Sequence, residues 1–211
     1  MVGTSQIDTF SRLTQVSRET IISLNKYEEI LIQWNKNLNL IGNSTINDIW
    51  IRHFLDSFQL IDFIDKNCKT AIDLGSGAGF PGLVVSLAAK EKKYPLKIRL
   101  IEKSPKKTKF LNEIIEKLEL KAEVVLVNAF EGSFEINEEV IMARAFKPIK
   151  NIFELIHNKA INWKKILIYL GKNGKSELHQ ASKIWDIEYK QTMSVTSKDS
   201  LIIDINRLKK K

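Results

Sequence analysis

The sequence predicts an α/β fold: a Rossmann-like, mostly parallel sheet with one antiparallel strand near the C-terminus and a helical N-terminal extension. Three observations carry this. From about residue 68 onward, short apolar strand-like runs alternate with helical stretches, the pattern of a sheet covered on both faces. The run Asp73-Leu74-Gly75-Ser76-Gly77-Ala78-Gly79-Phe80-Pro81-Gly82 separates an apolar strand-like stretch, Thr70-Ala71-Ile72, from an apolar helical segment, Leu83 to Ala89. A strand that turns through glycines into a helix N-terminus makes a ligand cradle. Upstream of residue 68, apolar residues recur at three and four.

In chain order, Leu24, Tyr27, Leu31 and Trp34 describe one amphipathic helix. Ile46, Trp50, Phe54, Ser57 and Ile61 describe a second, with Thr45 and Asp48 resembling its capping signal. Residues 1–67 therefore form the extension, expected to cover the ligand site, and 68–211 form the sheet domain. Strands are expected near 70–74, 97–102, 122–127, 139–143, 165–170, 184–191 and 200–206, and helices near 81–92, 105–119, 149–159 and 174–183. Ser104 and Pro105 read as N-cap and first residue of a helix whose stripe is Phe110, Ile114 and Leu118. The last two strands follow each other without a convincing helix, so one of them should run antiparallel.

Composition narrows the function. The 211 residues suit one domain with an elaboration, and 44% apolar with 27% charged residues is ordinary for a chain that buries a full core. One cysteine, Cys68, allows neither a disulfide framework nor a zinc cluster. The three histidines, His53, His157 and His179, lack ligand spacing, so no metal is expected. No run approaches the roughly 20 apolar residues that span a bilayer, and the polar start (Thr4, Ser5, Gln6, Asp8) is no signal peptide. The expectation is a soluble, cytoplasmic monomer without a membrane partner.

The net charge of +8 and pI near 9.4 favour a polyanionic partner, because lysine and arginine displace counterions from phosphates. Lys103, Lys106, Lys107 and Lys109 cluster at a helix N-terminus, where the helix dipole disfavours cations by ~0.3–1 kcal/mol each. Phosphate contact would explain that placement; a solvated face is the alternative. Lys209-Lys210-Lys211 reads as a disordered tail.

The glycine spacing selects the cofactor. A dinucleotide turn wants G-x-G-x-x-G, and its third glycine would fall on Phe80. Here the spacing is G-x-G-x-G, with Asp73 just before it, which is the pattern of S-adenosylmethionine sites. Gly75, Gly77 and Gly79 let the main chain touch the ligand, with Ser76 and Phe80 in the same loop. Glu102 ends the next strand, 27 positions after Gly75, where such folds hold a ribose hydroxyl pair. The fold is therefore a class I S-adenosylmethionine-dependent methyltransferase sheet.

Ligands of open α/β sheets bind outside the carboxyl ends of the strands, which here also supply Val127 to Glu131 and Arg144 to Pro148. Asn128-Ala129-Phe130-Glu131 falls where methyltransferases of this class hold the adenine. Arg144 stands where the fold presents its reactive-site residue, and its fork of donors suits a guanine O6, a phosphate or a cofactor carboxylate, with a structural salt bridge as the alternative. None of the four prolines is adjacent to another, so the Pro-Pro motif of amino-group base methylases is absent, and Cys68 lies at the wrong end of the sheet to be a nucleophile. An acceptor that needs no deprotonation, such as guanine N7, fits what remains. Phe80 and Phe146 suit a cofactor or an extruded base as well as a core. His53 falls on an apolar stripe, consistent with a core residue or with a lid in which His53 and Asp56 bond the glycine loop or face the substrate. Gly171, Lys172, Gly174 and Lys175 form a basic loop that suits contact with a polyanionic partner or an ordinary turn.

Four segments together resemble the RsmG (GidB) family of bacterial 16S rRNA methyltransferases: Asp73 to Gly82, Trp34-Asn35-Lys36-Asn37-Leu38-Asn39-Leu40, Arg52-His53-Phe54-Leu55-Asp56-Ser57 and Arg144-Ala145-Phe146. The similarity runs from roughly residue 20 to the C-terminus. The resemblance implies methyl transfer from S-adenosylmethionine to N7 of a guanosine in a decoding-region loop of 16S rRNA, within the small subunit or its precursor. It also implies cofactor contacts from Gly75, Phe80, Phe130, Glu131 and Arg144.

Overall fold

A computed structural model describes residues 3–131 and 134–211. Helices α1 (Gly3–Thr14) and α2 (Arg18–Leu38) open the chain. Ser17 caps α2 by accepting from the Thr20 N–H, and Asn39 closes it in the left-handed conformation at φ 46°.

The Ile46–Ile61 stretch, expected as one α-helix, is helical in a different way. A 3₁₀ turn (Asn43–Asp48) leads into a π-helical stretch (Trp50–Leu55), the single α-turn α3 (Asp56–Phe58) and a second 3₁₀ turn (Gln59–Phe63). The π stretch widens the turn by a residue. Trp50, Phe54 and Leu55 are thereby all buried. The Thr45 hydroxyl bonds Gly42 O and the His53 ring rather than capping a helix.

Seven strands follow: β1 (Thr70–Leu74), β2 (Lys97–Glu102), β3 (Ala122–Leu126), β4 (Val140–Ala143), β5 (Lys165–Leu170), β6 (Trp185–Ser194) and β7 (Ser197–Lys210). Helices α4 (Gly82–Glu91), α5 (Pro105–Leu118), α6 (Ile149–Lys159) and α7 (Gly174–Ser182) are interleaved with them. Ser104 caps α5 as expected, accepting from the Lys107 N–H at 3.4 Å. The sheet order is β3-β2-β1-β4-β5-β7-β6. β1 to β5 are mutually parallel, and β7 runs antiparallel to both its neighbours. The β6–β7 hairpin extends beyond the expected strands because most of β6 and both ends of β7 are exposed and polar, leaving little apolar signal. Lys209 and Lys210, read as a disordered tail, pair with Asp186 and Trp185 as the end of β7.

Successive side chains serve opposite faces. Ala71, Met142 and Leu167 join Phe10, Leu24, Phe54, Leu83 and Phe110 in one core, so the extension, α4 and α5 cover the same face. Ile72, Ile141 and Ile168 face α6 and α7 through Phe153, Leu178 and Trp185. Cys68 is buried and unpaired. Among the described residues no helix is long and apolar enough to cross a membrane. The chain leaves β1 toward β2 on one side and β4 on the other, so the crevice above β1 and β4 is the topological switch point where ligands bind.

Candidate active site

The turn after β1 is held rigidly from beneath. Asp73 is fully buried, and its Oδ2 accepts the Gly82 N–H at 3.1 Å, tying the two ends of the turn together. Gly82 has no room for a side chain there, since a Cβ would lie 2.7 Å from that carboxylate oxygen. Desolvation pushes the Asp73 carboxyl up to about 7, against the Gly82 hydrogen bond that lowers it. Ser76 N–H donates to Ile101 O at 3.0 Å and fastens the turn to β2.

Above this turn lies a cavity of about 490 Å³, within the range of about 300–1,000 Å³ usual for small-ligand sites. Its floor is the main chain from Gly75 to Ala78. Gly77, at φ 56°, meets nothing nearer than 3.8 Å at its Cβ position, so its backbone faces open space. The Glu102 carboxylate borders the floor, 7% exposed. It accepts from Gly77 N–H at 3.0 Å through Oε2 and from Ser104 N–H at 2.8 Å through Oε1. Each of its oxygens retains a second lone pair for a ligand hydroxyl. Val127, Asn128 and Ala129 form one wall, Arg144 to Lys147 another, and Lys103 and Lys107 stand at the rim.

The extension closes the remaining side. Leu40, Ile41, Gly42 and His53 line the cavity, and the His53 ring stacks on Phe80 with centroids 4.9 Å apart. His53 Nε2 lies 3.0 Å from the Thr45 hydroxyl. Burial first, then the Arg144 and Arg52 charges, lower its pKa to about 3, so the imidazole is neutral at working pH.

The profile of the family described as rRNA small subunit methyltransferase G (GidB) matches residues 20–203. The chain belongs to that family. It is 36% identical to the ribosomal RNA small subunit methyltransferase G of Pelagibacter ubique over 93% of this chain and 92% of the relative. With the protein of the same name from Rickettsia felis it shares 34% over 94% and 99%. Among solved structures, an S-adenosylmethionine-dependent methyltransferase from Aquifex aeolicus aligns with a TM-score of 0.56 at 15% identity, covering 83% of this chain and 97% of that one. TrmK from M. capricolum, in complex with S-adenosylhomocysteine, aligns at 0.53 and 15%, over 71% and 66%. These two likenesses show the methyltransferase fold.

Of the residues singled out from sequence, Gly75, Ser76, Gly77, Phe80, Glu102, Arg144, His53, Lys103 and Lys107 line the cavity. Others sit elsewhere. Asp73, expected against the cofactor, is buried below the turn and supports it. Gly79 is likewise buried: it makes room for the extension, since a Cβ would collide with Leu83 at 2.6 Å and with the Tyr27 hydroxyl. Gly75 serves a protein neighbour too, because a Cβ there would lie within the Phe146 ring. Phe130 and Glu131, expected on the cofactor, lie outside the cavity lining: the Phe130 ring stacks on Phe146 at 5.6 Å, and Glu131 takes a hydrogen bond from Asn128 at 2.6 Å. Lys106 is exposed away from the rim.

Asp56, expected near the substrate, is 3% exposed and cannot reach RNA. It holds Arg144 instead, with Oδ2 3.0 Å from Nη2. Arg144 also donates to Arg52 O at 2.7 Å and lies 5.4 Å above the Tyr169 ring. The salt-bridge alternative for Arg144 is thus realised while its side chain still borders the cavity. Sequence reasoning missed Tyr27, whose hydroxyl donates to Ala78 O at 2.6 Å, and the Leu40–Gly42 wall. The asparagines of the Trp34–Leu40 run carried that signal: Asn39 turns the chain and Asn35 Oδ1 accepts the Ile41 N–H at 2.9 Å.

Among the described residues no group of three or more His, Cys, Asp or Glu is placed to hold a metal ion.

Proposed function

We propose that this protein transfers a methyl group from S-adenosylmethionine to N7 of a guanosine in a decoding-region loop of 16S rRNA, acting in the cytoplasm as a monomer on the small subunit or its precursor. The observation that carries the reading is the cavity at the first β–α crossing, with bare backbone at Gly77 and the Glu102 carboxylate at its edge.

The residues present fit the cofactor. Glu102 would take the ribose hydroxyls on its free lone pairs, Val127 to Ala129 would flank the adenine, and Gly75 to Ala78 would face the methionine end. Bound S-adenosylmethionine supplies an electrophilic methyl, which the guanine N7 lone pair accepts without loss of a proton.

The chain's own residues position and exclude water rather than move protons. His53 is neutral and bonded to Thr45, Asp56 is committed to Arg144, and Glu102 is engaged by two backbone N–H groups. None is set up as a general base, and N7 requires none. Orientation of this kind can supply ~7–11 kcal/mol of a barrier. Lys103 and Lys107 at the rim, on a chain of net charge +8, favour a polyanionic substrate over a small neutral one.

The test is mass spectrometry of nucleosides from the rRNA of a strain lacking this gene, before and after treatment with the protein and S-adenosylmethionine. One new N7-methylguanosine per 16S rRNA is the expected product. Methylation of protein or small molecules with untouched rRNA would overturn the reading.

A further inference from the structure

A second cavity, of about 410 Å³, adjoins the first and shares Ala145, Phe146 and Lys147 with it. Its other walls bring in Tyr169, Lys172 and Glu177. The Tyr169 ring lies under the Arg144 guanidinium and its hydroxyl bonds Asp56 O, so this wall is fixed to the site already described. Gly174 packs so closely on Leu170 that a Cβ would overlap it, which sets the start of α7 and hence the place of Glu177.

Glu177 forms no ion pair among the described residues. It is exposed at the edge of the cavity; its Oε2 accepts the Ile149 N–H at 3.3 Å and keeps a second lone pair, and Oε1 has no hydrogen-bond partner among the described residues. A carboxylate accepts two donors side by side. Guanine carries such a pair, N1–H and the N2 amino group, on its Watson–Crick edge, with N7 across the ring. Adenine offers an acceptor at N1, which a carboxylate rejects.

Resting on the methyltransferase reading above, the geometry points to this second cavity as the site of the acceptor guanosine, selected by Glu177 at its Watson–Crick edge. That edge contact turns N7 toward the shared wall and the cofactor cavity. Lys147 and Lys172, both exposed at the rim, take the phosphates that flank the extruded nucleotide.

The test compares 16S rRNA bearing guanosine or inosine at the methylated position, the inosine placed by splinted ligation. Inosine keeps N7, O6 and N1–H and lacks the N2 amino group. The unaltered protein should show kcat/KM about tenfold or more lower on the inosine RNA, the worth of one hydrogen bond to a charged group. Glu177→Ala should bring the two rates close together while binding S-adenosylmethionine with unchanged affinity. Equal rates for the unaltered protein on both RNAs, or full discrimination by Glu177→Ala, would overturn the assignment. Absence of methylation on either RNA by the unaltered protein would overturn the enzyme reading itself.

Discussion

Arg144 and Asp56 are paired across the seam between β4 and the N-terminal extension, Nη2 to Oδ2 at 3.0 Å. Ser194 and Thr196 donate to the other carboxylate oxygen from the β6–β7 turn, and Gln59 donates to it as well. One buried carboxylate therefore joins three parts of the chain at the edge of the cavity. Removing either partner leaves an uncompensated buried charge, which costs about 3–5 kcal/mol. Arg144→Ala and Asp56→Ala should each lower stability by that order, and the double variant by much less than the sum. Urea denaturation of the four proteins measures this; additive losses would show that the pair is not coupled.

Gly77 and Gly79 have different neighbours and should fail differently. Both have positive φ, so alanine strains the backbone at either position by roughly 1–2 kcal/mol. Gly79→Ala adds collisions with Tyr27 and Leu83, and should lower Tm markedly along with cofactor binding. Gly77→Ala puts its methyl toward the cavity and should weaken S-adenosylmethionine binding while costing no stability beyond that backbone strain. Thermal melts beside calorimetry separate the two, and equal Tm losses would contradict the distinction.

Asp73 and His53 give opposite pH slopes. The Asp73 pKa is raised to about 7, so the folded state holds its proton longer than the unfolded chain does. Its stabilising contribution is present below about pH 4 and is lost as pH rises toward 7. His53 is depressed to about 3, so its contribution is present above about 6.5 and is lost as pH falls toward 3. Asp73→Asn should remove the decline toward neutral pH, and His53→Gln the decline toward acid. Denaturant unfolding at pH 4, 5.5 and 7 reads both; unchanged slopes would refute these environments.

Lys103 and Lys107 border the cavity, while Lys106 and Lys109 are exposed on α5. Replacing all four by Gln should weaken rRNA binding and reduce its salt slope by about 0.7–0.9 for each phosphate no longer neutralised. Filter binding from low to high salt measures the slope. An unaltered slope would return these lysines to a solvated face.

Much of this was legible in the chain. Strand–helix alternation and the Asp73–Gly82 run located the sheet, the crossing and the cavity floor, because glycine spacing and a terminal acid are local signals. What stayed hidden was mostly non-local. Nothing near Gly75 or Gly79 in sequence announces Phe146 or Tyr27, so glycines read as space for a ligand turn out to make space for protein. Asp73 carries the same lesson, since an acid beside a glycine turn looks alike whether it faces a ligand or the Gly82 N–H. The π-helical stretch hides for another reason: Trp50 and Phe54 keep a four-residue spacing that an α-helix would also show.

Calorimetric titration with S-adenosylmethionine tests the central claim, that the first β–α crossing with Glu102 grips this cofactor. The unaltered protein should bind one equivalent with micromolar-range affinity, and Glu102→Ala should lose most of the heat while remaining folded. No heat with S-adenosylmethionine, or binding of NAD in its place, would contradict the account.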